Sequence, residues 1–252
     1  MAEPADIATA IATEVAKQLP VKDAYDDAVK PAAQQLGNIT ADIAKTILLV
    51  LAPLQLTGAL QDRFRAFLDR SVRNVPEERR LPPPPQILGP VLEGIRYEPS
   101  DSSITEMFSV LLSTSIDKNK VSEAHPAFPQ IIKQLSSDEA HLLKSMWLIL
   151  QKDDRSFRQQ FTRDYDHTTN TFHGMHIEID EIPRNGLIFP ENIEFYGQHL
   201  YALGIAAFFD SANQDPIFAN GRQNPQTGIR IYKEFRLTDV GRRFMSAVSN
   251  SV

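Results

Sequence analysis

The stretch DYDHTTNTFHGMHIEID, residues 164–180, holds the densest set of metal-type ligands in the chain: Asp164, Asp166, His167, His173 and His176. Imidazole and carboxylate of this kind suit zinc or iron. The spacing argues against a site. His173 and His176 stand three apart in what reads as a strand, so their side chains leave on opposite faces. His125 and His141 have no acidic or nucleophilic partner at a recognisable spacing. The chain has no cysteine, which removes disulfides, thiolate zinc sites and thiol catalysis. No phosphate-binding glycine loop, serine elbow or paired-carboxylate signature occurs either. The expectation is a protein without catalytic residues, cofactor or metal.

Two other groups of residues invite binding rather than chemistry. Arg222, Arg230, Lys233 and Arg236 cluster near the C-terminus and are candidates for contact with a partner. The second group is TILLVLAPLQLTGALQ, residues 46–61, which runs without a charge in a chain of net charge -6. Its large aliphatics include Ile47, Leu48, Leu49, Val50, Leu51, Leu54, Leu56 and Leu60. Residues 47–51 are apolar in succession, so a helix here would be apolar on every side, whereas a surface helix keeps one polar face. As a helix, 46–61 would span roughly 24 Å, short of the ~30 Å hydrocarbon core of a bilayer. With Ile43, nine aliphatics contribute about -3 to -5 kcal/mol towards insertion, and one central charge costs about 2.5–3.5 kcal/mol. A longer window brings in Asp62, or Lys45 and Asp42. The balance is near zero. Two readings stand: a buried core helix, or a membrane-active helix that inserts only after rearrangement or oligomerisation.

The elements that would position these residues fall into three zones: 1–80, 81–135 and 136–252. In the first, Ile7, Ile11, Val15 and Leu19 recur every fourth residue, and Pro20 and Pro31 break the helical pattern. The second opens on LPPPPQILGP, residues 81–90, a stiff extended strap. It continues as helix, with Ser103 and Glu106 spaced as a capping box. In the third, Ser136 and Glu139 form another capping box, ENIEFYGQHLYALG reads as a helix, and IRIYKEFRLT alternates like a strand. A hairpin turn is expected in NGRQNPQTG, residues 220–228, and a last helix capped by Thr238. The fold expected is mainly α: an N-terminal helical region, a helical middle, and a C-terminal α+β winged-helix-like module. Nucleic acid is an unlikely partner for that module. Residues 136–252 carry twelve basic and fifteen acidic residues, a net of -3, and the would-be recognition helix has two glutamates and neither lysine nor arginine.

The chain resembles the abortive-infection alpha family. The middle carries the likeness: PPPPQILGPVLEGIRY, then EMFSVLLSTSIDKNKVSEAHPAFPQIIKQLSSDEAHLL, residues 106–143. VKPAAQQLG (29–37), LAPLQ (51–55) and LTDVGRRF (237–244) are also similar. The resemblance implies antiphage defence, in which an infected cell stops growing or dies before phage matures. It implies no catalytic set. The shared residues read as structural: Pro126 sets a turn, Ser136 caps a helix, and Leu111, Leu112 and Phe128 pack. The function expected is sensing of a phage-encoded trigger, with a multimeric component well suited to clustering several copies. Self-association into a homo-oligomer would follow, then disruption of the inner membrane by the N-terminal apolar helices. Location would be cytoplasmic at rest and the inner membrane when activated. The rival expectations are a cytosolic protein that blocks phage replication or assembly by binding, and a winged-helix regulator on DNA.

Overall fold

The computed structural model describes residues 58–153, 155–210, 214–220 and 224–250. Seven helices occur among them: α1 (Gly58–Arg73), α2 (Pro85–Ile95), α3 (Ser103–Ile116), α4 (Phe128–Ile132), α5 (Ser137–Asp153), α6 (Ile193–Ala202) and α7 (Asp239–Val248). Five strands join them: β1 (Phe157–Asp166), β2 (Thr171–Asp180), β3 (Ala206–Asp210), β4 (Asp215–Phe218) and β5 (Gln226–Leu237).

Helix α3 is the axis of the helical half. Of its residues after Ser103, all but Glu106 are buried. It is enclosed by α1, α2, α4, α5 and α7. A helix covered on every side must satisfy its own hydroxyls, since an unpaired buried polar group costs free energy. Thr105 donates to Pro99 O, Ser113 to Ser71 O and Ser109 O, Thr114 to Ala247 O, and Ser115 to Leu112 O. Ser71 of α1 and Ser109 share a bond of 2.8 Å. The N-cap is Ser102, whose Oγ accepts from Thr105 N at 3.0 Å, one residue before the Ser103 that the sequence pattern picks out. Glu106, freed from a capping box, pairs with Lys144 at 2.6 Å.

The proline strap is extended up to Pro84, and Pro85 then opens α2, where a missing N–H costs nothing. The strap is pinned to the end of α3: Leu81 N donates to Ile116 O, Lys118 N to Arg79 O, and Arg79 reaches the buried Asp117. Leu111, Leu112 and Phe128 are buried and Pro126 sits in a turn, as the shared motifs suggest.

The C-terminal half corrects the expected architecture. It is a five-stranded antiparallel sheet in the order β2-β1-β5-β3, with β4 also paired to β5. The whole is therefore a helical assembly with a substantial sheet, not a mainly α chain closed by a winged helix. The strand read in IRIYKEFRLT, 229–238, is the later part of β5, which starts three residues earlier inside the expected turn; the β4–β5 hairpin and the α7 cap hold, with Gly241 N donating to Thr238 Oγ1 at 2.9 Å. What departs is the long β1–β2 hairpin, inserted between α5 and α6. Its strands are polar, β2 is exposed from Thr171 to Glu178, and two register shifts interrupt the pairing, so that only the stretch around His173 and His176 reads as a strand from sequence. Of the expected N-terminal helical region only α1 lies within the described residues.

On the inner sheet face Phe157, Phe235 and Phe208 stand in one cross-strand row. They join a single contiguous core that runs from Phe64 in α1 to Val248 in α7. At Gly241 a Cβ would lie 1.9 Å from Ile205 O, so only glycine lets α7 approach the turn before β3 this closely.

Candidate interaction site

The strongest convergence of buried charge lies at the start of α5. Ser136 and Glu139 form the reciprocal capping box that their spacing predicts: Glu139 N donates to Ser136 Oγ at 3.2 Å, and Ser136 N donates to Glu139 Oε2 at 2.8 Å. Glu139 is nonetheless buried, and its other oxygen meets His199 Nδ1 of α6 at 2.7 Å. Asp138, beside it, is 5% exposed and accepts three bonds of 2.8 Å, from Ile188 N, Phe189 N and Tyr196 Oη.

Burial alone would raise the Asp138 pKa. The bonds from Ile188, Phe189 and Tyr196, with help from the His141 charge, outweigh it and hold the carboxyl below its ordinary value. Burial, and the bond to Asp138, push the Tyr196 phenol up. The acid is ionised, the phenol is its donor, and the helix start adds a favourable field for negative charge.

Chemically this is a clamp. The Ser136 hydroxyl donates to the Glu139 carboxylate at 2.8 Å, which closes the local cap. Asp138 fastens a surface segment, and Glu139 ties the helix start to α6. Residues 181–192 are tied at further points: Arg184 to Asp180 and to Pro190 O, and His141 to Asn185 O at 3.0 Å. Gly186 has φ +85°, and a Cβ there would meet the His141 ring at 2.5 Å, so glycine is required. The segment so held presents Ile188 and Phe189 at 68% and 52% exposure, and Phe195 of α6 is 65% exposed. Phe195 stacks along His199, with ring centres 6.3 Å apart. Tyr201 is exposed on the neighbouring row of α6. Glu191 and Glu194 give this face an acidic rim.

The expected cationic contacts do not gather into one patch. Arg222 lies outside the described residues. Arg230 is held bidentate by Glu178, at 2.7 and 2.8 Å. That guanidinium, with Gln160, lowers the Glu178 pKa to about 2. Lys233 projects on the opposite sheet face, over the rings of Phe161 and Phe208. Arg236 lies 4.0 Å over the Phe209 ring, about 20 Å along the strand from Arg230.

The histidine-rich stretch forms the outer half of the β1–β2 hairpin. A register shift brings His176 Nε2 to 3.1 Å from Asp164. Asp166 instead organises the turn, accepting from Thr168 and Thr169, which lowers its pKa to about 2. Among the described residues no three histidine, aspartate or glutamate side chains converge on a metal position.

Of the apolar stretch, Ile47, Leu48, Leu49, Val50, Leu51, Leu54 and Leu56 lie outside the described residues, and Leu60 falls in the first turn of α1. Among the described residues no helix is long and apolar enough to cross a membrane.

Sequence reasoning missed Asp138, Tyr196, His199 and the exposed Ile188, Phe189 and Phe195. Acids at a helix start read as capping, and apolar residues in a helical pattern read as core. Only the pairing of α5 with α6 separates the two.

A family model described as abortive infection alpha matches residues 57–248. No curated protein matches the chain, and no solved structure does.

Proposed function

The chain belongs to the abortive-infection alpha family, and from that premise we propose that it is a non-enzymatic effector that disturbs the inner membrane when phage is sensed. Family membership supports abortive-infection defence. The finer reading rests on one observation: the residues 46–61 form a charge-free run whose last four residues open α1. A stretch too short to span alone becomes favourable in a bilayer when several copies share the burial, which is why oligomerisation on a multimeric phage-encoded trigger belongs to the proposal. The protein would rest in the cytoplasm and reach the inner membrane on activation.

A second reading has its own support. The rigid aromatic patch at 188–195 is the kind of surface that binds a protein, so the chain would act by holding a phage component in the cytosol. DNA is the weaker partner, since Arg230 and Arg236 stand far apart and Arg230 is neutralised by Glu178.

Dye entry into phage-infected cells separates the two readings. Wild-type protein should admit dye before normal lysis, and a Leu49→Asp variant shown to be folded should not. Protection without early dye entry would sink the membrane reading in favour of binding.

A further inference from the structure

We propose that the aromatic patch of Ile188, Phe189 and Phe195 on one copy docks on the apolar face of the β1–β2 hairpin of a second copy, in a head-to-tail contact. The inference deepens the oligomerisation step of the membrane-effector reading and rests on that reading for its purpose, though the contact itself is a separate physical claim.

The hairpin strands are polar overall, but their apolar residues share one side. Phe161 of β1 is the register partner of Ile177 in β2 and of Ile231 in β5, so the three stand in one row on one face. Tyr165 and Phe172, also register partners, lie on that face further out, with ring centres 4.9 Å apart. His176 turns to Asp164 on the other face, which leaves its neighbour Met175 beside Ile177. Met175 and Ile177 are 56% and 50% exposed, and Phe172 is 36% exposed. The row lies beyond the contiguous core: Phe157 belongs to that core, and Phe161, four residues on, does not.

Charge selects the occupant. Arg163 and Lys233 stand on the apolar face of the hairpin sheet, while Asp164 and Glu178 lie on the other face, bonded to His176 and Arg230. Arg163 is exposed, donates to Gly174 O, and has no carboxylate partner among the described residues. The patch has the opposite sign. Glu191 and Glu194 are exposed there and form no ion pair among the described residues, and 185–203 holds neither lysine nor arginine. One chain thus carries an apolar surface edged by cations and another edged by acids. Two-fold pairing of either surface with itself would set like charges together, which opposes it. Pairing of one with the other is heterologous, and each copy offers one of each, so the contact can repeat from copy to copy.

Size sets the strength. Ile188, Phe189 and Phe195 with Phe172, Met175 and Ile177 expose roughly 700 Å² of apolar surface together, so the contact falls below the ~1,200–2,000 Å² of stable complexes. Dispersed copies then associate with a Kd on the order of 10–100 µM. Copies gathered on a multimeric trigger reach effective concentrations in the ~mM range, where the contact closes. Ile188 and Phe189 are already fixed by main-chain bonds to Asp138, so docking them loses little entropy.

Sedimentation velocity of the full-length protein at rising concentration reads the contact. Wild type should associate reversibly, and less so as salt is raised. Glu191→Lys with Glu194→Lys, or Arg163→Glu, should each weaken association about tenfold with the melt unchanged. Mixing these two variants should restore it, because the lysine-edged patch of one then meets the glutamate on the hairpin of the other, and the second contact stays native. Met175→Ser with Ile177→Ser, which changes no charge, should weaken association as well. Wild type that stays monomeric to about tenfold above the expected Kd overturns the proposal. Association that either charge reversal leaves intact, or that the mixture fails to restore, overturns it too. Dye entry into phage-infected cells separates the contact from the underlying reading. Charge-dependent association without early dye entry supports the contact and refutes membrane action. Early dye entry with a monomeric wild type overturns the contact and leaves membrane action standing.

Discussion

Replacing Asp138 by asparagine tests the clamp with little change of shape. The carboxylate accepts from two main-chain N–H groups and one phenol, each at 2.8 Å, in a position 5% exposed. A hydrogen bond to a charged group contributes about 1.5–3 kcal/mol, but the three share one acceptor and are not additive. An amide retains one acceptor oxygen and turns an NH2 towards a donor. The 181–192 segment can also open to water, which limits the loss. The expected destabilisation is about 2–4 kcal/mol, a large part of an ordinary 5–15 kcal/mol. For a body of this size it lowers Tm by roughly 5–12 °C. Urea unfolding followed at Trp147, the one tryptophan, gives the free energy. Hydrogen exchange at the Ile188 and Phe189 amides locates it, and both should lose protection ahead of the α3 amides. The pH dependence follows from the sign of the shift. Since the folded-state pKa of Asp138 is depressed, its contribution is present above the unfolded value of ~3.9 and disappears as pH falls through the folded value. The gap between wild type and Asp138→Asn should therefore be full at neutral pH and narrow below about pH 4. A change within about 0.5 kcal/mol, with both amides still protected, would refute the clamp.

Gly241→Ala reverses the usual rule. An exposed helical glycine gains up to ~1 kcal/mol on replacement by alanine, but here the new Cβ would press to 1.9 Å on Ile205 O, so a thermal melt should show clear destabilisation. Thr238→Ala should cost about 1 kcal/mol by denaturant unfolding, through loss of the α7 cap. Arg230→Ala should move the Glu178 pKa from about 2 back towards the ordinary carboxylate range, as read by NMR titration of the side-chain carboxyl carbon. If Glu178 still titrates near its wild-type value in that variant, the bidentate pair is not what depresses it.

Several features of this protein were legible in order of residues alone. Ser136 and Glu139 signal a helix start because the bonds of a capping box are local, and Thr238 caps α7 for the same reason. The proline strap is extended only over 81–84, where the ring fixes φ, whereas 85–90 of the expected strap belong to α2 because Pro85 is suited to a first helical turn. The core positions of Leu111, Leu112 and Phe128 follow from helical period and from the family motif. The family itself was visible in the middle block and covers 57–248. Two local readings failed for tertiary reasons. The α3 cap sits at Ser102, because Glu106 is drawn to Lys144 of another helix. Of the β1–β2 hairpin only the stretch around His173–His176 read as a strand, because both strands are largely solvated and bulged and only β1 is paired to β5.

The candidate site was the least legible part. Asp138 lies some fifty residues from the amides it accepts, Ile188 and Phe189. Nothing in local sequence distinguishes an acid that serves a helix dipole from one that anchors a distant loop. Whether Phe195 is core or surface likewise depends on which side of α6 meets the sheet, and Gly197 decides that by admitting the Phe208 ring on the opposite side. Sequence alone determined the local bonds, the proline geometry, the charge-free stretch and the family. The tertiary structure decided the sheet and the buried acid pair, and it left three apolar side chains in water, because those outcomes depend on contacts between segments far apart in the chain.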